Sequence, residues 1–195
     1  YFWVLSEETR VQLEYILTHS WISTRTGEVY RPDRVVLDEN FTLRIGVFQL
    51  DFRLQEASDF TTYEIHGIID GWVPETFLLY RPLVYVTAYS SPVVLAQLQI
   101  FVRSLRDIGR YDGPIIVMTD QTVEKINAIC EEAPGTIGLD TMFPTDFVGY
   151  VCSKYKIFDK EQYQGFQPVV YFDPDIVIDN PIEPMLLAGT LTRRV

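Results

Sequence analysis

Histidine and cysteine are scarce in this chain of 195 residues, which holds two of each: His19 and His66, Cys130 and Cys152. Two histidines exclude a His-rich zinc site. Two cysteines without metal-ligand spacing exclude a zinc ribbon and a disulfide framework. Reduced, half-buried thiols are expected, and with them a cytoplasmic protein. Long apolar runs are missing as well. None reaches the roughly 18 residues of a membrane span, so no span is expected. No Lys-rich segment or cleavage site follows Tyr1, so no signal peptide is expected. The absent Met and the ending Arg193-Arg194-Val195 suggest a piece of a longer chain. Lysine is absent from residues 1–80; all four lysines (Lys125, Lys154, Lys156, Lys160) lie beyond. The formal charge is −11, with the acids spread along the chain. That balance excludes nucleic-acid backbone binding, which needs clustered Lys and Arg. It leaves a phosphorylated ligand open, because a bound metal inverts the local sign.

What is present is ordinary globular composition, 47 % hydrophobic and 22 % charged. It changes character near residue 80. Residues 1–80 carry 13 acids against 6 arginines, and residues 81–195 carry 14 acids against 10 bases. The first part is expected to be a small, mainly antiparallel β-rich accessory module. It opens with a helix over Glu7 to Leu17, marked by Val11, Ile16 and Leu17, with Ser6 as its cap. Val35 to Leu37 and Phe41 to Ile45, around Asp38-Glu39-Asn40, read as a hairpin. Val47 to Leu54 alternates apolar with polar, as a half-exposed strand does. Thr61 to Ile69 and Phe77 to Tyr80 are further strands. His66 falls among strand residues, where a packed or surface histidine is expected rather than a catalytic one.

Residues 81–195 alternate strand and helix. Leu83 to Thr87 is a buried-strand run. Ser90-Ser91-Pro92 starts a helix, and Val94, Leu98, Phe101, Val102 and Leu105 follow at helical spacing. Gly109 and Asp112-Gly113-Pro114 end it. Ile115 to Thr119 is a second buried strand, closed by Asp120. Thr122 to Glu132 suits a helix stopped by Pro134-Gly135, and Lys154 to Phe158 begins another. Val169 to Phe172 is the last strand. Repeated β-α-β units imply a largely parallel sheet. Ligands of such sheets bind beyond the carboxyl ends of the strands. Thr87-Ala88-Tyr89, Asp120 and Asp173 all fall there.

The stretch Val169-Val170-Tyr171-Phe172-Asp173-Pro174-Asp175 delivers two carboxylates where an apolar run breaks, and Ile176 to Ile178 resumes it. Two acids two residues apart at a strand end can converge on one divalent cation, which can in turn hold a diphosphate. With Ser153-Lys154-Tyr155-Lys156-Ile157-Phe158 upstream and Asn180-Pro181-Ile182-Glu183 downstream, residues 83–187 resemble the nucleotide-sugar-binding half of a GT-A fold glycosyltransferase. The likeness is to family 8, the group of glycogenin and the lipopolysaccharide galactosyltransferases. The fold this implies is α/β, a Rossmann-like nucleotide-diphospho-sugar transferase sheet.

By this resemblance the protein is a metal-dependent glycosyltransferase, or its donor-binding fragment. It moves a sugar from a nucleotide-sugar donor, UDP-linked by family habit, to a hydroxyl acceptor. Asp175 would ligate Mn²⁺ or Mg²⁺, and Asp173 would contact both the metal and the donor ribose. Lys154 would reach the donor phosphates, while Thr87, Ala88 and Tyr89 would line the base site. The resemblance names no general base. The sequence departs from the family at Pro174, where a small residue is usual, and in a shorter loop after the first strand. The family's third ligand, a His, lies well beyond the motif, whereas this sequence stops 20 residues after Asp175. Two other functions compete. One is a non-catalytic binding or assembly module that keeps the fold. The other is a nucleotidyltransferase, disfavoured because Ala88 to Pro92 has neither glycine nor a cation.

Overall fold

The structure is a computed structural model that describes residues 7–39, 42–56, 63–69, 71–159, 163 and 165–192. The expected cap Ser6, the hairpin residues Asn40 and Phe41, and the strand residues Thr61 and Thr62 lie outside these. The chain divides into two units. One holds Tyr1–Arg81, Gly165–Gln167 and Thr190–Val195; the other holds Pro82–Gln164 and Pro168–Gly189. Together they make a mixed α/β chain, one unit built on an antiparallel sheet and the other on a parallel one. Among the described residues no helix is long and apolar enough to cross a membrane.

The first unit begins with α1 (Glu7–Thr18) and continues through β1 (Ser20–Ser23), β2 (Val29–Tyr30), β3 (Val35–Leu37), β4 (Leu43–Ile45), β5 (Phe48–Glu56), β6 (Tyr63–Ile69) and β7 (Val73–Tyr80). They form a seven-stranded sheet in the order β2-β1-β7-β6-β5-β4-β3, every pair antiparallel. Period-two patterning selects the buried face. In β4, Leu43 and Ile45 are buried while Arg44 between them is exposed. The core gathers Trp21, Tyr30, Leu43, Ile45, Ile65, Phe77 and Leu79 with Ile16 of α1. On α1 the inward residues are Leu13 and Ile16, three apart; Val11, expected on that face, is exposed. Strands β1 and β2 were not expected, because Trp21-Ile22 is too short an apolar run to mark a strand. Tertiary packing fixes it: Trp21 is fully buried and its indole N–H donates to the Ile16 carbonyl at 2.8 Å. His66 is half-buried on β6, its Nε2 2.8 Å from the Glu64 carboxylate and its Nδ1 3.3 Å from the Thr76 hydroxyl.

The second unit runs β8 (Leu83–Thr87), α2 (Pro92–Asp107), β9 (Ile115–Thr119), α3 (Val123–Cys130), β10 (Ile137–Thr141), α4 (Phe147–Cys152), a 3-10 segment (Ser153–Asp159), β11 (Val169–Phe172) and α5 (Glu183–Leu191). The sheet order is β10-β9-β8-β11, with every pair parallel. Successive strands step from β8 outward to β9 and β10, and then β11 pairs on the other side of β8. The β8–β11 pair is thus the point where the strand order reverses, the place where open parallel sheets bind ligands. Leu83 to Val86 are all fully buried, as strands covered on both faces are.

Helix α2 starts at Pro92 and buries Leu95, Leu98, Phe101, Val102 and Leu105, a stripe of helical period. Its exit is tight. Gly109 donates its N–H to the Ser104 carbonyl at 2.9 Å, and a Cβ at Gly109 would stand 2.6 Å from the Leu105 carbonyl oxygen. Glycine therefore fits where alanine does not. Helix α3 is capped by the Thr122 hydroxyl and closes at Glu131 in the left-handed region, φ 56°, one residue before the expected end and ahead of Pro134. The expected helix over Lys154 to Phe158 is a 3-10 segment, and α4 before it, α5 and β10 were not anticipated. Arg106 ties these pieces together: it pairs with Glu132 at 3.0 Å and donates to the carbonyls of Tyr111 and Gly113 at 2.6 and 2.9 Å. Of the two thiols, Cys130 is buried and Cys152 is exposed.

Candidate functional site

The carboxyl ends of β8 and β11 open into a cavity of about 440 Å³. Three stretches of chain line it. Thr87 ends β8, Tyr89, Ser90 and Ser91 follow it, and Val94 stands in the first turn of α2. Phe147, Tyr150 and Val151 come from α4, and Lys154 from the 3-10 segment. Tyr171, Asp173 and Pro174 follow from β11. The wall is thus mainly aromatic and aliphatic, with one cation and one carboxylate, as small-molecule sites commonly are.

The strand-end residues expected from the sequence divide here. Thr87, Tyr89, Lys154 and Asp173 line the cavity. Ala88 is fully buried and lies outside the lining; its N–H donates to the Met118 carbonyl at 2.9 Å and extends the β8–β9 pairing. Asp175 is exposed and also lies outside the lining. Asp120 is committed elsewhere. It accepts from the Ser90 hydroxyl and from the Gln121 amide, the latter at 2.6 Å. Burial opposes its ionisation, but these hydrogen bonds outweigh it and hold its carboxyl below the usual range. Its role is to fix the loop that carries Ser90.

The acidic turn is anchored on both sides. Before it, β11 pairs with β8 in the register Phe172↔Val86, and the Phe172 ring meets Phe101 at 5.4 Å. Within it, the Ile176 N–H donates to the Asp173 carbonyl at 3.3 Å. After it, the Ile178 N–H donates to the buried Ser104 hydroxyl at 3.0 Å, and the Ile182 N–H to the Gly109 carbonyl at 3.0 Å. The apolar run Ile176 to Ile178 is thus no strand; only Ile178 is buried, and it pins the turn to α2.

Side-chain chemistry converges on Tyr171. Its hydroxyl donates to Asp173 Oδ1 at 2.6 Å and lies 3.0 Å from Thr87 Oγ1. The Lys154 ammonium stands 5.1 Å from its ring centroid, within cation–π range. Burial, reinforced by the hydrogen bond to Asp173, pushes the Tyr171 phenol well above its ordinary value. Beneath it, Tyr85 is fully buried, donates to Met118 Sδ at 3.2 Å and meets the Tyr171 ring at 6.1 Å. Burial first, and the nearby Asp140 charge second, push its phenol up as well. Tyr89 is 9 % exposed, and its ring meets Tyr150 edge-on at 4.9 Å. Its hydroxyl lies beside Ser153, whose Oγ already donates to the Tyr150 carbonyl at 2.8 Å. The phenol makes no hydrogen bond of good geometry, and burial again raises its pKa.

A divalent cation suits part of this donor set. Asp173 keeps Oδ2 after giving Oδ1 to Tyr171, and Asp175 is unobstructed on the same turn. Among the described residues no group of three or more His, Cys, Asp or Glu is placed to share a metal. Ions of the Mg²⁺ class do not require one; they commonly bind through one or two carboxylates and complete their shell with substrate phosphates and water. Of the two acids Asp173 alone lines the cavity, where an ion arriving with a phosphorylated ligand would meet it.

Sequence reasoning missed Tyr171 as a functional side chain, and missed Phe147, Tyr150 and Val151 altogether. A signal existed for the last three. Asp146 caps α4, accepting the Gly149 N–H at 2.7 Å, and an Asp immediately before an apolar run marks a helix start. No protein-family model matches the chain, and no curated protein matches it.

Proposed function

We propose that the second unit is the nucleotide-sugar-binding half of a glycosyltransferase of the GT-A type, similar to family 8. The full protein would transfer a sugar from a UDP-linked donor to a hydroxyl acceptor. One observation carries this reading: Thr87, Tyr89, Lys154 and Asp173, which the resemblance assigns to the donor, line one cavity at the reversal point of the parallel sheet. Three separate stretches of sequence supply them.

The cavity's chemistry agrees. Aromatic walls suit a planar base, and Lys154 suits phosphate oxygens as a point charge. Asp173 and Asp175 would hold Mn²⁺ or Mg²⁺ together with the diphosphate. When bound, that ion would neutralise charge building on the departing nucleoside diphosphate. The residues of the chain bind and orient: Lys154 meets the phosphates, the Asp173 carboxylate meets ribose hydroxyls, and Phe147 and Tyr150 keep water off the base. No residue of the cavity is assigned as general base.

Calorimetric titration of the chain with UDP-sugar and Mn²⁺ tests the reading. Saturable binding that weakens in Asp175→Asn is expected. Absence of binding, or binding indifferent to that change, sinks it. A second reading, a binding module without turnover, is favoured by the exposure of Asp175 outside the cavity lining. Release of free sugar from a UDP-sugar by the protein excludes it.

A further inference from the structure

We propose that Tyr171 is the positioning residue of this cavity, setting the orientation of Thr87, Asp173 and Lys154 at once. The inference rests on the donor-binding reading above and concerns how the site is held in shape.

Proton accounting fixes the direction of the hydrogen bonds. A phenol has one proton to donate. The 2.6 Å contact to the ionised Asp173 is the short, charge-assisted one and takes that proton. At 3.0 Å from the same oxygen, Thr87 must then donate rather than accept. The chain runs Thr87 to Tyr171 to Asp173. Two consequences follow. Asp173 loses its freedom to rotate, with Oδ1 held and Oδ2 left for a ligand. Thr87 spends its only proton on Tyr171, so it offers the cavity acceptor lone pairs alone and favours a ligand N–H or O–H over a ligand carbonyl.

The ring works separately from the hydroxyl. Its face holds the Lys154 ammonium at 5.1 Å, and the neighbouring Tyr155 ring stands 5.7 Å from the same nitrogen. A flexible lysine is thereby kept over the cavity, which lowers the ordering cost at binding. The ring itself is seated against the buried Tyr85 at 6.1 Å. One side chain at the end of β11 thus organises residues from three separate segments.

The test uses UDP with Mn²⁺ as the probe, titrated calorimetrically into the 195-residue chain and its variants. Tyr171→Phe keeps the ring and removes the hydroxyl. It is expected to weaken UDP binding by about five- to tenfold, the scale of one ordinary net hydrogen bond, with circular dichroism and melting temperature little changed. Thr87→Val is expected to weaken binding in the wild-type background and to cost clearly less in Tyr171→Phe, where the hydroxyl that orients Thr87 is already gone. Lys154→Met is expected to cost the same in Tyr171→Phe as in wild type, and less in Tyr171→Leu, which lacks the ring. A Tyr171→Phe affinity within about twofold of wild type overturns the proposal. So do Thr87→Val and Tyr171→Phe losses that simply multiply, since a merely structural tyrosine would give that result. If Tyr171→Leu fails to fold, the Phe and Val pair still decides. Wild-type protein that ignores UDP overturns the donor reading and this inference together, whereas normal wild-type binding without the coupling overturns this inference alone.

Discussion

The backbone N–H of Ile178 donates to the Ser104 hydroxyl across 74 residues of chain, at 3.0 Å and in a buried position. Ser104 passes its own proton to the Phe101 carbonyl at 2.9 Å. This pair ties the segment leaving the acidic turn to the last turn of α2. Ser104→Ala leaves a buried N–H without a partner, which costs about 1–3 kcal/mol. Urea unfolding is the measurement, and a loss below about 0.5 kcal/mol, the scatter of neutral surface changes, contradicts the anchoring role. The same variant loosens the turn bearing Asp173 and Asp175, so UDP affinity should fall with it.

The Arg106–Glu132 pair predicts a pH dependence. The two side chains are 18 % and 13 % exposed and meet at 3.0 Å. Burial opposes ionisation of Glu132, but the hydrogen bonds from Arg106 outweigh it, and the carboxyl titrates below its ordinary range. A depressed carboxyl pKa contributes stability above the unfolded value and loses it as pH falls through the folded value. Glu132→Gln should therefore destabilise at neutral pH by about 1–3 kcal/mol, the scale of hydrogen bonds between charged groups. The gap between variant and wild type should close as both are taken below about pH 4. Chemical denaturation at several pH values measures it, and a gap independent of pH counts against the pair.

The parallel sheet was largely legible because burial on both faces writes itself as continuous apolar runs. Leu83 to Thr87 and Ile115 to Thr119 carry that mark; Val169 to Phe172 is equally apolar in sequence, but as the edge strand it is only partly buried. Helix α2 was legible through its period. Strand β10 was not: Ile137-Gly138-Leu139-Asp140-Thr141 holds a glycine and an aspartate, both poor strand formers, and it forms because the edge of β9 offers a partner. In the site, Asp173 could be found from the spacing of two acids at a strand end, and Lys154 only through the family resemblance. Tyr171 could not, since its importance lies in the contacts to Thr87 and Lys154, which sequence distance hides. Phe147 and Tyr150 sit on a helix of six residues, too short to show a helical period.

The two cysteines should differ sharply in reactivity. Cys130 is buried at the end of α3, and burial first, with the Glu132 charge second, pushes its thiol up to about 12. Only the thiolate attacks an alkylating reagent. Cys152 is exposed at the end of α4. Iodoacetamide at mildly alkaline pH should add one label to the native protein, at Cys152, and two after denaturation. Mass spectrometry of the peptides reads this directly. Rapid native labelling of Cys130 would mean that α3 does not cover it.

Phe147 separates binding from folding. Its side chain is 79 % exposed, yet it lines the cavity on the first turn of α4. Folding gains little from so exposed a ring, so Phe147→Ala should leave unfolding free energy within about 0.5 kcal/mol of wild type. If the ring covers a bound base, its removal should weaken UDP binding by about 1–3 kcal/mol, the usual worth of base–aromatic stacking. Tyr150 gives the contrast. Its ring packs edge-on against the buried Tyr89 at 4.9 Å, so Tyr150→Ala should lower stability and affinity together. Phe147→Trp should retain binding, since the wall needs an aromatic face rather than one particular ring. An unchanged affinity in Phe147→Ala would put the base against Tyr89 and Tyr171 instead and leave α4 as the outer rim of the cavity.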